Sequence, residues 1–479
     1  MPLLIHGPAA FCFHCSWIRL TMDCILKVLV IAVLSISGQG ELLTGSFWHI
    51  TDLHWDPTYK LADGNLGSVC DSSGNRPTPQ AGKFGDYLCD SPWDLISSSV
   101  HAMKDILPNP DFIIWTGDDT PHVPNEDLGE EAVVRIIGNL TNLIKTLFPK
   151  TKVYSALGNH DYHPKSQLPP TQSNIYEQVQ KLWEDWLDPA SRDTFRKGAY
   201  YTEKLLNQTG FRVLVLNTNL YYDQNKITEN MKDPADQFKW ADQVLTEAAK
   251  NKEKVYIVGH VPPGFFEKKR HKPWFRPEFN QQYIELIQKY HDIINGQFFG
   301  HHHTDSFRMF YNSGGSPISA MFLSPGVTPW KTTLPGVVDG ANNPAIRVFE
   351  YNTKTLLVED IVTYYLNLTH ANIARARWEK EYRLTETFKV PDASPISMHQ
   401  VSEQIAHENC YLQKYYSFNS VNYDLSVCNA DCRIDHVCAM REVSFEAYEH
   451  CVAKEGASSA IPALLTIMFT LAISLWASY

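Results

Sequence analysis

Asp52 and His54, separated by one leucine, open a series of metal-binding side-chain types that continues with Gly117-Asp118, Gly158-Asn159-His160-Asp161, Gly259-His260 and Gly300-His301-His302-His303. Carboxylates, imidazoles and a carboxamide suit Zn, Mn or Fe, and a pair of such ions needs about this many ligands. A carboxylate shared by the two ions, for which Asp118 is the candidate, would hold them roughly 3.5–4 Å apart. That spacing clamps both the attacking and the leaving oxygen of a displacement at phosphorus. Each motif alone has a plainer explanation: Asp-x-His as a local cap, Asp118-Asp119 as the start of a turn, His301 to His303 as a polar strand end, Gly158 to Asp161 as a surface turn. Context separates the explanations, because each motif closes its own apolar, β-rich run and the same accident would have to recur five times.

The runs that must position these residues are predicted as strands over 47–51, 111–116, 152–157, 254–258 and 296–299, with further strands over 211–216, 317–323, 345–351 and 355–365. Helices are predicted over 92–106, 176–187 and 235–249. Another is marked by Val133, Ile136, Ile137, Leu140, Leu143, Ile144 and Leu147 at helical spacing, with Glu126, Asp127, Glu130 and Glu131 near its start. Strands alternating with helices imply layered α/β packing, and an open α/β sheet places ligands beyond the carboxyl ends of its strands. Residues 57–92, rich in Gly, Pro, Asp and Ser, read as a long loop over one edge of the site. After about residue 371 the composition turns polar and aromatic, with helices expected over 374–387 and 395–406. The organisation read from this is a leader over 1–40, a catalytic domain over 41–375, a small disulfide-pinned helical subdomain over 376–452 and a removable tail over 453–479.

Hydrophobic residues make up 44% of the chain, enough for a full-sized core, and the formal charge of -11 argues against a nucleic-acid polymer as partner. Cys70 and Cys89 bracket the long loop, while Cys428, Cys432, Cys438 and Cys451 crowd the C-terminal part. In an oxidising compartment these read as one staple and two bridges, with Cys410 left over. A zinc finger is disfavoured by the lack of a C-x2-C or His-x3-5-His pair. Sequons at Asn139, Asn207 and Asn367 agree with secretion, and Asn139 falls off the apolar stripe of its helix.

The apolar run 25–36 ahead of Gly38-Gln39-Gly40 reads as a secretory signal, with Met22 as an alternative start. Gly456-Ala457-Ser458-Ser459 precedes an apolar run over 461–476 with no basic residue after it. This favours a glycolipid-anchor (GPI) signal over a single membrane span. The expected location is the outer face of the plasma membrane, with some secreted protein, as a monomer.

The ordered set Asp52-x-His54, Gly117-Asp118, Gly158-Asn159-His160-Asp161, Gly259-His260 and Gly300-His301-x-His303 resembles the calcineurin-like metallophosphoesterases. His49-Ile50-Thr51-Asp52-Leu53-His54 and Trp115-Thr116-Gly117-Asp118-Asp119 are similar to the acid sphingomyelinase branch. Phe298-Phe299-Gly300-His301-His302-His303-Thr304-Asp305-Ser306-Phe307-Arg308 and Gly85-Asp86-Tyr87-Leu88-Cys89-Asp90-Ser91-Pro92 resemble the acid sphingomyelinase-like phosphodiesterases, and the apolar tail resembles that of the membrane-anchored member. The likeness runs from about Phe47 to Cys451.

It implies a sandwich of two mixed β-sheets flanked by helices and a centre of two Zn2+ ions. Asp52, His54 and His303 would bind one ion, Asn159, His260 and His301 the other, and Asp118 would bridge. His160 would protonate the leaving oxygen or stabilise the charged transition state, with Asp161 orienting its ring. His122 would reach the substrate phosphate, which Asn159 and His160 would also contact, and His302 would point away. Without the lipid-lifting saposin domain of acid sphingomyelinase, the implied substrates are small phosphodiesters and nucleotide pyrophosphates such as CDP-choline or ATP, at least as readily as sphingomyelin. A phosphomonoesterase of the purple acid phosphatase kind is disfavoured, since Pro121 stands where those enzymes carry a tyrosine ligand. The competing reading from another class is a cell-surface binding or regulatory protein that modulates membrane lipid or receptor function, with incidental catalysis.

Overall fold

The computed structural model describes residues 44–61, 69–74, 76–78, 81–338 and 340–457. The expected leader and the apolar run 461–476 lie outside them. Twelve strands among the described residues form two sheets of six. In the first, β1 (Thr44–Ile50), β2 (Phe112–Trp115) and β3 (Lys152–Ser155) run parallel. The second is built of β4 (Tyr201–Lys204), β5 (Phe211–Val215), β6 (Lys254–Val258), β7 (Ile294–Phe299), β8 (Ser306–Tyr311) and β9 (Pro317–Leu323), in the order β4-β5-β6-β7-β9-β8. Its four central strands are parallel and its two edge strands antiparallel. The chain then returns to complete the first sheet with β10 (Ala345–Asn352), β11 (Val358–Leu366) and β12 (Trp378–Arg383), all antiparallel, in the order β12-β11-β10-β1-β2-β3.

The parallel strands are short and buried almost throughout, as a sheet covered on both faces requires. Between the sheets Phe47 stacks on Phe112 at 4.4 Å and on Phe349 at 5.2 Å, and meets the edge of Phe298 from the other sheet at 5.3 Å. Such ring contacts add to the area buried and fix how the layers sit. Helix Trp93–Ile106 packs on the first sheet at β10 and on helix Glu130–Leu147, which in turn packs on Asn174–Leu182, while Gln237–Lys250 and Pro277–Tyr290 pack on the second sheet at β6 and β8. Helices Pro395–His407 and Ala430–Arg441 pack on β8 and β9, with Asn409–Asn419 against the first of them.

The expected helix over 374–387 is a correction. Residues Trp378–Arg383 form β12, paired with β11, and only Leu384–Phe388 turns helical. The reason lies in one side chain: the Tyr382 hydroxyl donates to Asp305 Oδ2 at 2.8 Å, and Arg347 Nη2 donates to that hydroxyl at 3.1 Å, an arrangement that needs the extended backbone. Strand β8, strand β4 and helix Pro277–Tyr290 go beyond what the sequence reading assigns. Disulfides join Cys70 to Cys89, Cys428 to Cys432 and Cys438 to Cys451. Cys410, expected to be left over, is disulfide-bonded.

Candidate active site

All the loops that carry the donors leave the carboxyl ends of parallel strands. Asp52 and His54 follow β1, Asp118 follows β2, Asn159 and His160 follow β3, His260 follows β6, and His301 and His303 follow β7. Backbone bonds tie the loops together, with Asp52 N–H donating to Gly117 O at 2.9 Å, His54 N–H to Asp118 O at 3.0 Å and Gly300 N–H to His260 O at 3.2 Å. Asp52, His54, Asp118, His301 and His303 all sit at positive φ, between 40° and 71°. Each such residue costs roughly 1–3 kcal/mol and persists only where the surroundings over-determine it, a pattern that clusters at functional sites. Gly158 is required by contact: a Cβ there would run into Oδ1 and the backbone nitrogen of Asp118.

The donors converge. Ligand atoms of Asp52, His54 and His303 lie within 4.8 Å of one another, as do those of Asp118, His260 and His301. Asp118 Oδ2 stands between the two groups, 3.5 Å from His54 Nε2 and 3.1 Å from His260 Nε2. Asn159 Oδ1 is 3.2 Å from His260 Nε2, which puts the carboxamide with the second group. The ligand atoms of a third set, His54, His122 and His160, also lie within 4.8 Å of one another.

Several observations fit metal ions here. His54 Nδ1 lies 2.7 Å from Thr120 O and His260 Nδ1 2.6 Å from Thr116 O, so each ring donates outward and turns an Nε2 lone pair into the cluster. His54 Nε2 and both ring nitrogens of His301 are buried without a hydrogen-bond partner. Burial pushes Asp52 up to about 7 and His303 down to about 3. Burial opposes charge on Asp118 and His260 as well, yet their mutual attraction wins, holding Asp118 well below the usual carboxylate range and His260 up at about 9. Burial holds His54, His301 and His303 neutral, the form that ligates, while cations bound between Asp52 and Asp118 would take over the charge balance that His260 otherwise supplies by keeping its proton.

Beside the cluster, His122 and His160 face each other with ring centroids 4.4 Å apart. His122 is locked from two sides: its Nδ1 is 3.0 Å from Asp90 Oδ1, its backbone N–H donates to Asp90 Oδ2 at 2.6 Å, and its ring lies flat on Trp330 at 3.7 Å. Trp330 Nε1 donates to Ser72 O at 3.0 Å, so the stapled loop reaches the site through both Asp90 and Ser72. Asp90 and Trp330 carry no expected role from sequence; the only signal is that Asp90 lies within the stretch Gly85 to Pro92 that resembles the family. Asp161 is a correction. It does not orient the His160 ring, whose Nδ1 has no partner; its oxygens accept the backbone N–H groups of Asp118 at 2.8 Å, Asp119 at 2.7 Å and Gly158 at 2.7 Å. Asp161 therefore positions the loop that carries Asp118.

His302 turns away from the cluster, its Nδ1 3.2 Å from Glu267 Oε2. The same fully buried carboxylate accepts from Arg308 Nη2 at 2.6 Å, Thr304 Oγ1 at 2.6 Å and Asn419 Nδ2 at 2.9 Å. It thereby joins the His301–His303 loop to the C-terminal helices. Tyr222 and Trp274 form the wall opposite Trp330, with ring centroids 5.2 and 4.5 Å from that of His301. Of the sequons, Asn139 is half-buried with Nδ2 donating to Arg135 O at 2.8 Å and Asn367 is exposed, while the side chain of Asn207 lies outside the described residues.

A two-sheet sandwich with His, Asp and Asn donors gathered at its strand ends defines a metallophosphoesterase. The family model for calcineurin-like phosphoesterase matches residues 45–305, and that for the acid sphingomyelin phosphodiesterase C-terminal region matches 316–458. The chain is 57% identical to acid sphingomyelinase-like phosphodiesterase 3b of Homo sapiens over 436 residues, 91% of this chain and 95% of the relative. It is 41% identical to the cyclic GMP-AMP phosphodiesterase SMPDL3A of Homo sapiens over 411 residues, 85% and 90% of the two chains. Sphingomyelinase phosphodiesterase C of Dictyostelium discoideum is 36% identical over 447 residues, 91% and 99%. The chain belongs to the acid sphingomyelinase-like phosphodiesterase family and is a phosphoric diester hydrolase.

Proposed function

We propose a zinc-dependent phosphodiesterase that cleaves phosphodiester and pyrophosphate bonds of small polar substrates, nucleotides and CDP-choline among them, or of lipid headgroups such as sphingomyelin. It acts as a monomer on the outer face of the plasma membrane, held by a lipid anchor added near residues 456–459. The observation that carries the enzymatic reading is the convergence of Asp52, His54 and His303 with Asp118, His260 and His301 around one carboxylate.

Asp52, His54 and His303 would hold one Zn2+, Asn159, His260 and His301 the other, with Asp118 between them. When bound, such a pair supplies Lewis acidity toward phosphoryl oxygens and acidifies water enough to make it a nucleophile near neutrality. The protein does the rest. His122, fixed by Asp90 and Trp330, presents its free ring edge toward the cleft and the phosphate. Burial holds His160 down to about 3, so its ring is neutral near neutral pH. An arriving anionic diester raises its proton affinity and makes it a donor to the departing oxygen. The aromatic walls of Trp330 on one side and Tyr222 and Trp274 on the other suit a nucleobase by stacking or a choline by cation–π contact. A relative is named for cyclic GMP-AMP and another for sphingomyelin, which supports this range.

Turnover of bis(p-nitrophenyl) phosphate against p-nitrophenyl phosphate tests the bond class. The diester is expected to be cleaved faster, with loss of both activities in a chelator and recovery on adding Zn2+. Faster monoester turnover overturns the assignment.

A further inference from the structure

Val338 and Val427, 77% and 83% exposed, are bare aliphatic side chains on one groove, and Leu425, two residues before Val427, is 66% exposed. Val337 and Val338 line this groove with Val427, which sits just before the Cys428–Cys432 bridge. The groove continues the active-site cleft, since Lys268 lines both and Leu334, three residues before Val337, forms part of the cleft wall. On its other side Val427 shares a second hollow with Glu455, so the last described residues lie beside the same loop. The apolar run 461–476 begins a few residues further on.

Charge selects among the surfaces that could cover this groove. Among the described residues lining the groove, Lys268 is the cation, whereas a site for anionic lipid needs a cluster of Lys and Arg. Asp424 and Asp435 are engaged by Tyr416 and Arg270, and the chain as a whole carries -11. We propose that Val338, Leu425 and Val427 form an apolar lip that enters the headgroup layer of a zwitterionic phosphocholine bilayer and holds the mouth of the active-site cleft against it. This rests on the anchor reading, because the anchor enters the membrane from the chain end beside Val427. An interfacial lip of this kind penetrates roughly 5–10 Å and lets a diester be taken from the surface of the leaflet without extraction of whole lipid.

The test uses the full chain and phosphatidylcholine vesicles. An environment-sensitive dye is placed on Val427→Cys, on Val338→Cys and, as control, on Ile373→Cys, an equally bare position at 82% exposure outside the groove. Signals are read against the unsubstituted protein treated with dye. On vesicle addition the dyes at 427 and 338 are expected to shift to the blue and to be quenched by spin-labelled lipid, while the dye at 373 stays unchanged. A chain that floats with the vesicles while 427 and 338 behave like 373 overturns the lip alone. A chain that fails to float overturns the lip and the anchor reading together. Shifts that appear without lipid, on raising the protein concentration, assign the surface to self-association and also overturn it. Hydrolysis of bis(p-nitrophenyl) phosphate in the same samples reports separately on the enzymatic reading.

Discussion

Asp90 shows how far a single side chain can act from the donors. It is fully buried, burial pushes it up to about 7, and it holds both the ring and the backbone of His122 while taking the Thr328 hydroxyl at 3.0 Å. Asp90→Asn keeps the shape but weakens the grip on the ring. We expect kcat/KM for the diester to fall on the order of 10-fold to 100-fold, the range for losing an orienting partner, with metal content unchanged. An unaltered kcat/KM would mean that His122 has no part in turnover. The donor residues were legible in the sequence because each follows a strand-like run, and all but Asp52 and His54 come just behind a glycine. The roles of Asp90, Trp330 and Asp161 were not, since whether an aspartate meets a ring or the amides of Asp118 and Asp119 is decided by loop closure across more than 30 residues, which spacing does not encode.

At the scale of elements, the central strands are legible because parallel strands covered on both faces read as continuous apolar runs. The edge strand β12 was hidden: its exposed Glu379 and Lys380 carry no hydrophobic alternation, and tertiary contacts of Tyr382 decide its state. The loop after β7 depends on the C-terminal helices through Glu267. Burial opposes the charge on this carboxyl, but the Arg308 guanidinium beside it holds it well below the usual carboxylate range. Glu267→Gln leaves Arg308 buried without its counter-charge, a change worth roughly 3–5 kcal/mol. The variant should melt at lower temperature and lose metal to a chelator sooner than the parent. An unchanged melting temperature would show that the network does not tie the two regions together.

For the whole molecule, acid is the expected weakness. His436, buried among the C-terminal helices, is held down to about 4 by burial, with Lys268 and Arg308 adding to the effect and Glu267 and Asp424 opposing it. The unfolded side chain titrates near 6.5, so between 6.5 and 4 the unfolded chain binds more protons. Stability from this group is therefore complete above about 6.5 and is lost as pH falls toward 4, by at most about 3 kcal/mol. Comparing melting temperatures at pH 7 and pH 4.5, the parent should lose more than His436→Gln. Equal losses would place the acid sensitivity elsewhere.

The most direct test of the central claim is anomalous diffraction at the zinc edge from crystals of the active protein. Two peaks roughly 3.5–4 Å apart, one contacted by Asp52, His54 and His303, the other by Asn159, His260 and His301, with Asp118 touching both, are predicted. Fully active crystals with no peak at this cluster, or with a single peak that Asp118 does not contact, would contradict it.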